Sequence, residues 1–562
     1  MGRKWIILLL MTLGTVYCTG CGSGADSVSG IGRGDCNIGS QPSEFANSTA
    51  YFVAAGSPES RINLQAFGPA PYTLINMPTS VSLSGNNLTM NHDAPVHELA
   101  LVCDADGRYF EFWNTTAPTE SPQFPLSVSS DKRWVVDNSG EPFNVNGDTA
   151  WSIMVQLDQS EVTTYLADRA AKEVNLILIN LIEHKFSDQV PAWKNATGDL
   201  PFSESLIFGT PDFTEPQEEY WRNVDWVLRE AYRFGITVLA LPAYLGYDHG
   251  DEGWASIMES SGVNAMTDYG AFIGERYRDY PNIIWAMGGD APPAPAASPL
   301  DLTAEINSLA NAIKSIDSNH LMTAHSAPGR SSMDDYNQPW LDLNATYTQA
   351  YIVPAMRTSY EMLPPIPTFL FESTYGNEHG NTDQSLRIQM WQAVLGGGFG
   401  HIYGNAPTWY FNAAIGDAGF ANVQGLDWRT QLNQLGAQYL EHVARVQQVR
   451  DISMLAPDYS HQIVISGYDP NGDQGPGYVP VAASDRILLA YMPSQGHVVT
   501  VDRTRFAAGS YNVTWFNVGT GDSTDGGTTS MGMGMGTEMF SPPDSGDWLL
   551  MIDDAALGLP LP

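Results

Sequence analysis

"PNIIWAMGGDAPP", residues 281–293, sets the frame for the rest of the chain. Apolar residues run from Ile283 to Met287, then Gly288 and Gly289 interrupt them and a single acid, Asp290, follows. A run that is apolar almost throughout is the pattern of a strand buried on both faces. Two glycines let the backbone bend sharply and come close to a neighbour. Alone, Asp290 before Ala-Pro-Pro reads equally well as a cap of a turn or helix.

Seven further runs of the same kind lie on either side: "FNVNGDTAW" (143–151), "VNLILINL" (174–181), "ITVLALPAY" (236–244), "HLMTAHSAP" (320–328), "ATYTQAY" (345–351), "PTFLFESTY" (367–375) and "FGHIYGN" (399–405). Helical segments separate them. "TEPQEEYWRNVDWVLREAYRFG" predicts a helix with a Thr214-x-x-Gln217 capping box, a stop at Gly235, and Trp221, Val224, Leu228 and Ala231 on one face. "DLTAEINSLANAIKSID" places Ile306, Leu309, Ile313 and Ile316 at helical spacing. Repeated β/α units over residues 126–452 predict a (β/α)8 TIM barrel. A doubly wound open sheet is the competing arrangement, but no Gly-rich phosphate loop opens any unit.

The flanks are all-β in pattern. Residues 35–125 carry short alternating runs such as "TAYFVAAG" and "HELALVCDADGRYFEFWN", which predict a small N-terminal β-sandwich. Residues 453–562 return to strands, "RILLAYMP" and "GDWLLMID" among them, and predict a second sandwich. Its "MGMGMG" tract (531–536) reads as a loop, and three thioethers without Cys or His are a weak case for a soft metal.

The first 21 residues have the form of an export signal, with Arg3 and Lys4 ahead of an apolar stretch too short to span a bilayer as an anchor. The segment ends in "CTGC", similar to a bacterial lipobox with Cys21 as the lipidated residue, although Cys18 stands where that pattern usually has Leu. Simple secretion with cleavage nearby is the alternative, so the expected place is the outer membrane, facing periplasm or cell surface, or the medium. Residues 22–34 form a small-residue tether. Cys36 and Cys103 then remain as an even pair and predict a disulfide, which would stabilise its domain by about 4 kcal/mol on the chain-entropy model. The formal net charge of −36 and the lack of Lys/Arg clusters disfavour nucleic acid and anionic lipid as binding partners, leaving a lipid anchor as the only expected membrane attachment.

In a TIM barrel the chemistry sits at the C-terminal ends of the strands. Two acids there matter most: Asp290 after the fourth strand and Glu372 at the end of "PTFLFE" in the seventh. An unpaired buried carboxylate costs several kcal/mol, so Glu372 must be paired, protonated or facing a cleft. A structural ion pair is the plain alternative. Together, across one barrel mouth, two such acids suit glycosidic bond cleavage, one protonating the leaving oxygen and the other attacking the anomeric carbon. Asp148, His325, Tyr351 and His401 are candidate ligands for sugar hydroxyls, and Trp151, Tyr244 and Trp409 are candidate stacking surfaces. His249, His325 and His401 lack the spacing of a metal site, and no GxSxG elbow is present. No metal or other cofactor is expected.

"GEPFNVNGDTAWSIMVQLDQSEVTTYLADRAAKEVNLI", "YGAFIGERYRDYPNIIWAMGGD" and "QAVLGGGFGHIYGNAPTW" together resemble the DUF4038-type barrels that include the apiosidases of glycoside hydrolase family 140. The segment from "RILLAYMPSQGHVVTVD" to "GDWLLMID" resembles the collagen-binding-type domain that follows those barrels, where it is expected to brace the barrel rather than bind collagen. The resemblance implies a retaining glycosidase with Asp290 as acid/base and Glu372 as nucleophile, acting on a plant or algal polysaccharide or oligosaccharide. Related barrels of the wider clan carry Asn-Glu at strand 4, whereas Gly289-Asp290 stands here, so their substrate placement does not transfer. An inverting hydrolase or lyase on the same barrel, and a non-catalytic carbohydrate-binding or adhesive surface lipoprotein, are the alternatives.

Overall fold

The computed structural model describes residues 49–53, 59–66, 69–74, 81–91, 99–105, 109–114, 122 and 124–562, apart from 205–208, 413–424, 470–473 and 494–496. The export segment 1–21 with Cys21, the tether 22–34 and Cys36 lie outside the described residues. Cys103 is buried and disulfide-bonded.

Eight strands form the barrel: Val145–Thr149, Leu176–Asn180, Thr237–Leu241, Ile283–Gly288, Met322–His325, Asn344–Tyr347, Thr368–Glu372 and Gly400–Tyr403, here barrel strands 1 to 8. All neighbouring pairs are parallel, and strand 8 closes on strand 1. The ladder is interrupted between strands 5 and 6. There the Ser332 hydroxyl donates to Ala324 O at 2.7 Å and accepts the Ala345 N–H at 2.8 Å, so one side chain satisfies backbone groups of both strands.

Every residue of these eight strands is buried except Glu372. That explains the nearly unbroken apolar runs: one face packs into the barrel and the other under the helices. The helices stand between the strands as the periodicity predicts. Glu218–Arg233 buries Trp221, Val224, Leu228 and Ala231, and Thr303–Ile316 buries Ile306, Leu309 and Ile313. The predicted Thr214 capping box does not form. Thr214 belongs to a hairpin strand, Pro211–Pro216, its backbone and hydroxyl both bonded to Asp212, and the helix starts only after Gln217. Pro216 disfavours helical backbone at Glu215, which would have to be the first helical residue after a Thr214 cap.

In the N-terminal region a four-stranded and a three-stranded sheet surround a small core of Leu64, Tyr72, Val81, Leu88, Ala100, Val102 and Phe112. The C-terminal region has a six-stranded and a three-stranded sheet. In its six-stranded sheet the neighbouring strands Ile487–Met492 and Trp548–Asp554 are buried on both faces. Leu488, Ala490, Met492, Leu550 and Ile552 fill its own core, while the alternate residues Leu489, Tyr491, Leu549 and Met551 join the core of the barrel. Ion pairs flank that seam, Arg387 to Asp547 at 2.8 Å and Arg450 to Asp553 at 2.5 Å. The C-terminal sheet therefore braces the helical wall of the barrel, on the side of the helix Asp383–Leu395.

Candidate active site

Strand 4 ends at Gly288, and the three residues that follow the apolar run all have left-handed backbone: Gly288 at φ 84°, Gly289 at 135° and Asp290 at 57°. Only glycine tolerates the first two. A Cβ on Gly288 would stand 2.5 Å from His325 O, and one on Gly289 would stand 2.4 Å from the Tyr244 ring. Asp290 is itself a non-glycine residue in that region, a conformation that clusters at functional sites. The sharp turn brings its carboxyl under Tyr244, whose hydroxyl donates to Oδ2 at 3.3 Å, while Oδ1 is buried without a hydrogen-bond partner.

His325, at the end of strand 5, links the two acids. Its Nδ1 accepts the backbone N–H of Asp290 at 3.2 Å, which places the ring proton on Nε2. Nε2 lies 2.6 Å from Glu372 Oε2, a contact that is close but bent away from a linear hydrogen bond. The His325 ring is itself held between aromatic faces, stacked on Phe371 at 4.6 Å and on Trp151 at 5.6 Å, with Tyr347 tilted at 5.3 Å. Trp151 in turn donates its indole N–H to the Tyr375 hydroxyl at 3.0 Å.

The electrostatics favour the protonated form of Asp290. Burial pushes the Asp290 pKa up to about 7, the negative charge of Glu372 adds to that, and His325 opposes it. Asp290 therefore keeps its proton toward neutrality. Burial followed by the charge of Asp290 holds Tyr244 well above the ordinary tyrosine value, and burial followed by that of Glu372 does the same for Tyr347 and Tyr375, so all three stay neutral hydrogen-bonding groups. Among the described residues no Lys or Arg pairs with Asp290 or Glu372, and no three His, Cys, Asp or Glu side chains gather as metal ligands.

The structure thus brings Asp290, Glu372, His325, Tyr244 and Trp151 together. Other sequence candidates stand elsewhere. Asp148 is fully buried beneath the site, 2.6 Å from Arg169 Nε, and accepts the Tyr165 hydroxyl at 2.8 Å, so its oxygens are taken by structure and do not face sugar. His401 is sealed inside strand 8 with neither nitrogen bonded, and burial pushes its pKa down to about 3. Neither ring nitrogen meets solvent, so His401 does not reach the cleft as expected. Tyr351 lies beyond strand 6, at the start of the helix Ile352–Tyr360, and is 49% exposed. Trp409 is buried and donates its indole N–H to Glu378 Oε1 at 2.7 Å. His249 joins two loops, with one ring nitrogen 3.2 Å from the Ser298 hydroxyl and the other 3.1 Å from Pro292 O.

Three participants carried weak sequence signals. Phe371 and Tyr347 look like ordinary strand residues, and Glu378 sits in a loop past strand 7. Glu378 in "YGNEHG" had one usable mark, an acid among turn residues in a βα loop.

Solved structures similar to the chain include one described as a glycoside hydrolase, 23% identical with a TM-score of 0.63, covering 77% of this chain and 97% of its own. A second is a glycoside hydrolase family 5 protein from Bacteroides vulgatus, 22% identical with a TM-score of 0.65, covering 77% of this chain and 94% of its own. No curated protein matches the chain. A family model described as "Apiosidase-like, catalytic domain" matches residues 129–453, more than half of the chain and the whole barrel with both carboxyl groups. With that match, the chain belongs to the apiosidase-like glycoside hydrolases.

Proposed function

We propose that this glycoside hydrolase works by double displacement with retention of configuration, on a glycosidic bond of a plant or algal polysaccharide or oligosaccharide. Glu372 forms a bond from a carboxylate oxygen to the anomeric carbon as the glycosidic C–O bond breaks, and Asp290 delivers its proton to the departing oxygen. Asp290, now ionised, takes a proton from water, which attacks the anomeric carbon and releases Glu372. The observation that carries this reading is the pairing of an acid whose pKa is pushed up to about 7 with a second carboxyl in contact with His325 Nε2. Tyr244 donates to Asp290 Oδ2 and leaves Oδ1 without a hydrogen-bond partner.

The test is the anomer formed first. Proton NMR of a fresh digest of pectic and algal oligosaccharides should show the product with the configuration of the substrate. An inverted anomer, or an unsaturated sugar from a lyase, overturns the mechanism; binding without turnover of any glycan overturns the enzyme reading of this chain's site. We also infer export with lipidation at Cys21 and pairing of Cys36 with Cys103. Labelled palmitate should enter the wild type and not Cys21→Ala, and non-reducing peptide mapping should recover the cystine.

A further inference from the structure

Glu378 is a third carboxyl group at the mouth, and the loop that carries it is built to hold it. The residues on either side, Asn377 at φ 63° and His379 at φ 50°, both have left-handed backbone. Such conformations persist only where the surroundings over-determine them. Here they do: the Asn377 amide reaches Asn405 Oδ1 at 3.2 Å, Ala406 O at 2.9 Å and Gln431 Oε1 at 3.2 Å, and the Asn381 amide reaches Tyr375 O at 2.8 Å. Glu378 itself is only 7% exposed. One carboxyl oxygen, Oε1, accepts the Trp409 indole N–H at 2.7 Å. Among the described residues no group hydrogen-bonds the other oxygen, Oε2.

We infer that Glu378 recognises the sugar bound against Glu372, using Oε2 to hydrogen-bond a sugar hydroxyl, in a site whose lack of a cation disfavours sugars carrying an anionic substituent at that position. This rests on the glycosidase reading of the same site. Burial pushes its pKa up to about 8, the charge of Glu372 adds to that, and the Trp409 hydrogen bond opposes it. A neutral carboxyl offers both an O–H donor and an acceptor to a hydroxyl. Glu378 is also close enough to Tyr347 and Tyr410 to raise both, so it shares the wall that carries Glu372. Three carboxyl groups, Asp290, Glu372 and Glu378, meet no Lys or Arg partner among the described residues. A uronic acid or sulfated sugar would bring an anion into this low-dielectric site with no cation to pair it, and burying a charge without a partner is unfavourable. A neutral glycosyl unit does not incur that cost.

The test is calorimetric binding of neutral and uronate-bearing oligosaccharides to a Glu372→Gln protein, which is expected to bind without turning over. Adding Glu378→Ala should weaken the neutral ligands about tenfold or more, whereas Glu378→Gln, which keeps a donor and an acceptor, should stay within about threefold. In the otherwise wild-type enzyme Glu378→Ala should raise KM more than it lowers kcat. If Glu378→Ala does not fold, shown by loss of the wild-type thermal transition, Glu378→Asp takes its place and should lose affinity to a similar extent. Unchanged affinity, a preference for uronate at this position, or no glycan bound at all overturns the inference. A Glu378→Gln enzyme as inactive as Asp290→Asn also overturns it, because Glu378 would then be the proton donor. Glycan binding that depends on Glu378 in a wild-type protein that never hydrolyses leaves the inference standing and removes the glycosidase reading instead.

Discussion

Asp148 and Asp290 are both aspartates held by barrel strands, and they serve opposite ends. Asp148 lies within strand 1, fully buried, with the Arg169 guanidinium 2.6 Å away and Tyr165 donating to the same oxygen. Asp290 follows strand 4, with a tyrosine hydroxyl on one oxygen, nothing on the other, and a second carboxyl as its chief charged neighbour. Both are removed from water, and desolvation disfavours the charged form of each. What differs is the counter-charge. A buried acid that owns a cation ties the barrel strand to the helix Gln159–Ala171, which carries Arg169. A buried acid facing another acid holds its proton and can hand it to a substrate.

The most severe way to break the comparison is at the site. Glu372→Ala should lower kcat by about 10³-fold or more while leaving the thermal transition near that of wild type, because the residue contributes to the transition state more than to packing. If added azide restores turnover and yields a glycosyl azide, the assignment of Glu372 as nucleophile stands; a variant with near-normal kcat removes it.

Asp290→Asn should cost about 10²- to 10⁴-fold on substrates with poor leaving groups. The wild-type kcat/KM should fall as pH rises through about 7, where Asp290 gives up the proton it must donate, and the variant should lack that limb. Stability follows the direction of the Asp290 shift. The folded Asp290 pKa lies above the unfolded value, so the folded state binds more protons between about pH 4 and 7 and wild-type stability falls as pH rises across that window. Asp290→Asn should therefore gain on the wild type in melting temperature between pH 5 and pH 8; no relative gain would show that Asp290 is not protonated at neutrality.

Arg169→Met sharpens the other side. Removing the cation leaves Asp148 buried and unpaired, which should cost about 3–5 kcal/mol in denaturant unfolding, with what activity remains in the folded fraction showing an unaltered pH profile. A changed alkaline limb would mean that the two aspartates are coupled after all. The smallest effect is expected from Gly289→Ala. The added Cβ meets the Tyr244 ring and the Leu245 N–H, and φ 135° is strained for alanine, so a loss of about 1–3 kcal/mol and a displaced Asp290 should appear together as lower stability and lower kcat.

Much of the barrel was legible because burial on two faces leaves a mark that survives in one dimension. The apolar runs of strands 2, 3 and 4 match the observed Leu176–Asn180, Thr237–Leu241 and Ile283–Gly288 apart from their ends. The ends were less legible: "ATYTQAY" suggested a strand reaching Tyr351, but strand 6 stops at Tyr347 and Tyr351 opens a helix. Thr214-x-x-Gln217 had the residues of a capping box, yet a hairpin claimed Thr214 first. Glu372 could be suspected because an acid ending a strand of bulky residues conflicts with burial. Glu378 could not, since nothing near it in sequence announces Trp409 or its burial.

The amino-acid sequence by itself determined the barrel, the order of its strands and the two acids placed at the mouth, because strand periodicity and glycine placement are local properties. Only the tertiary structure decided which acids are chemical and which are structural. Arg169 reaches Asp148, His325 joins Asp290 to Glu372, and Trp409 meets Glu378 across stretches of chain that carry no record of one another. The charge state of a buried acid is set by what surrounds it in space, and those surroundings exist only once the chain has folded.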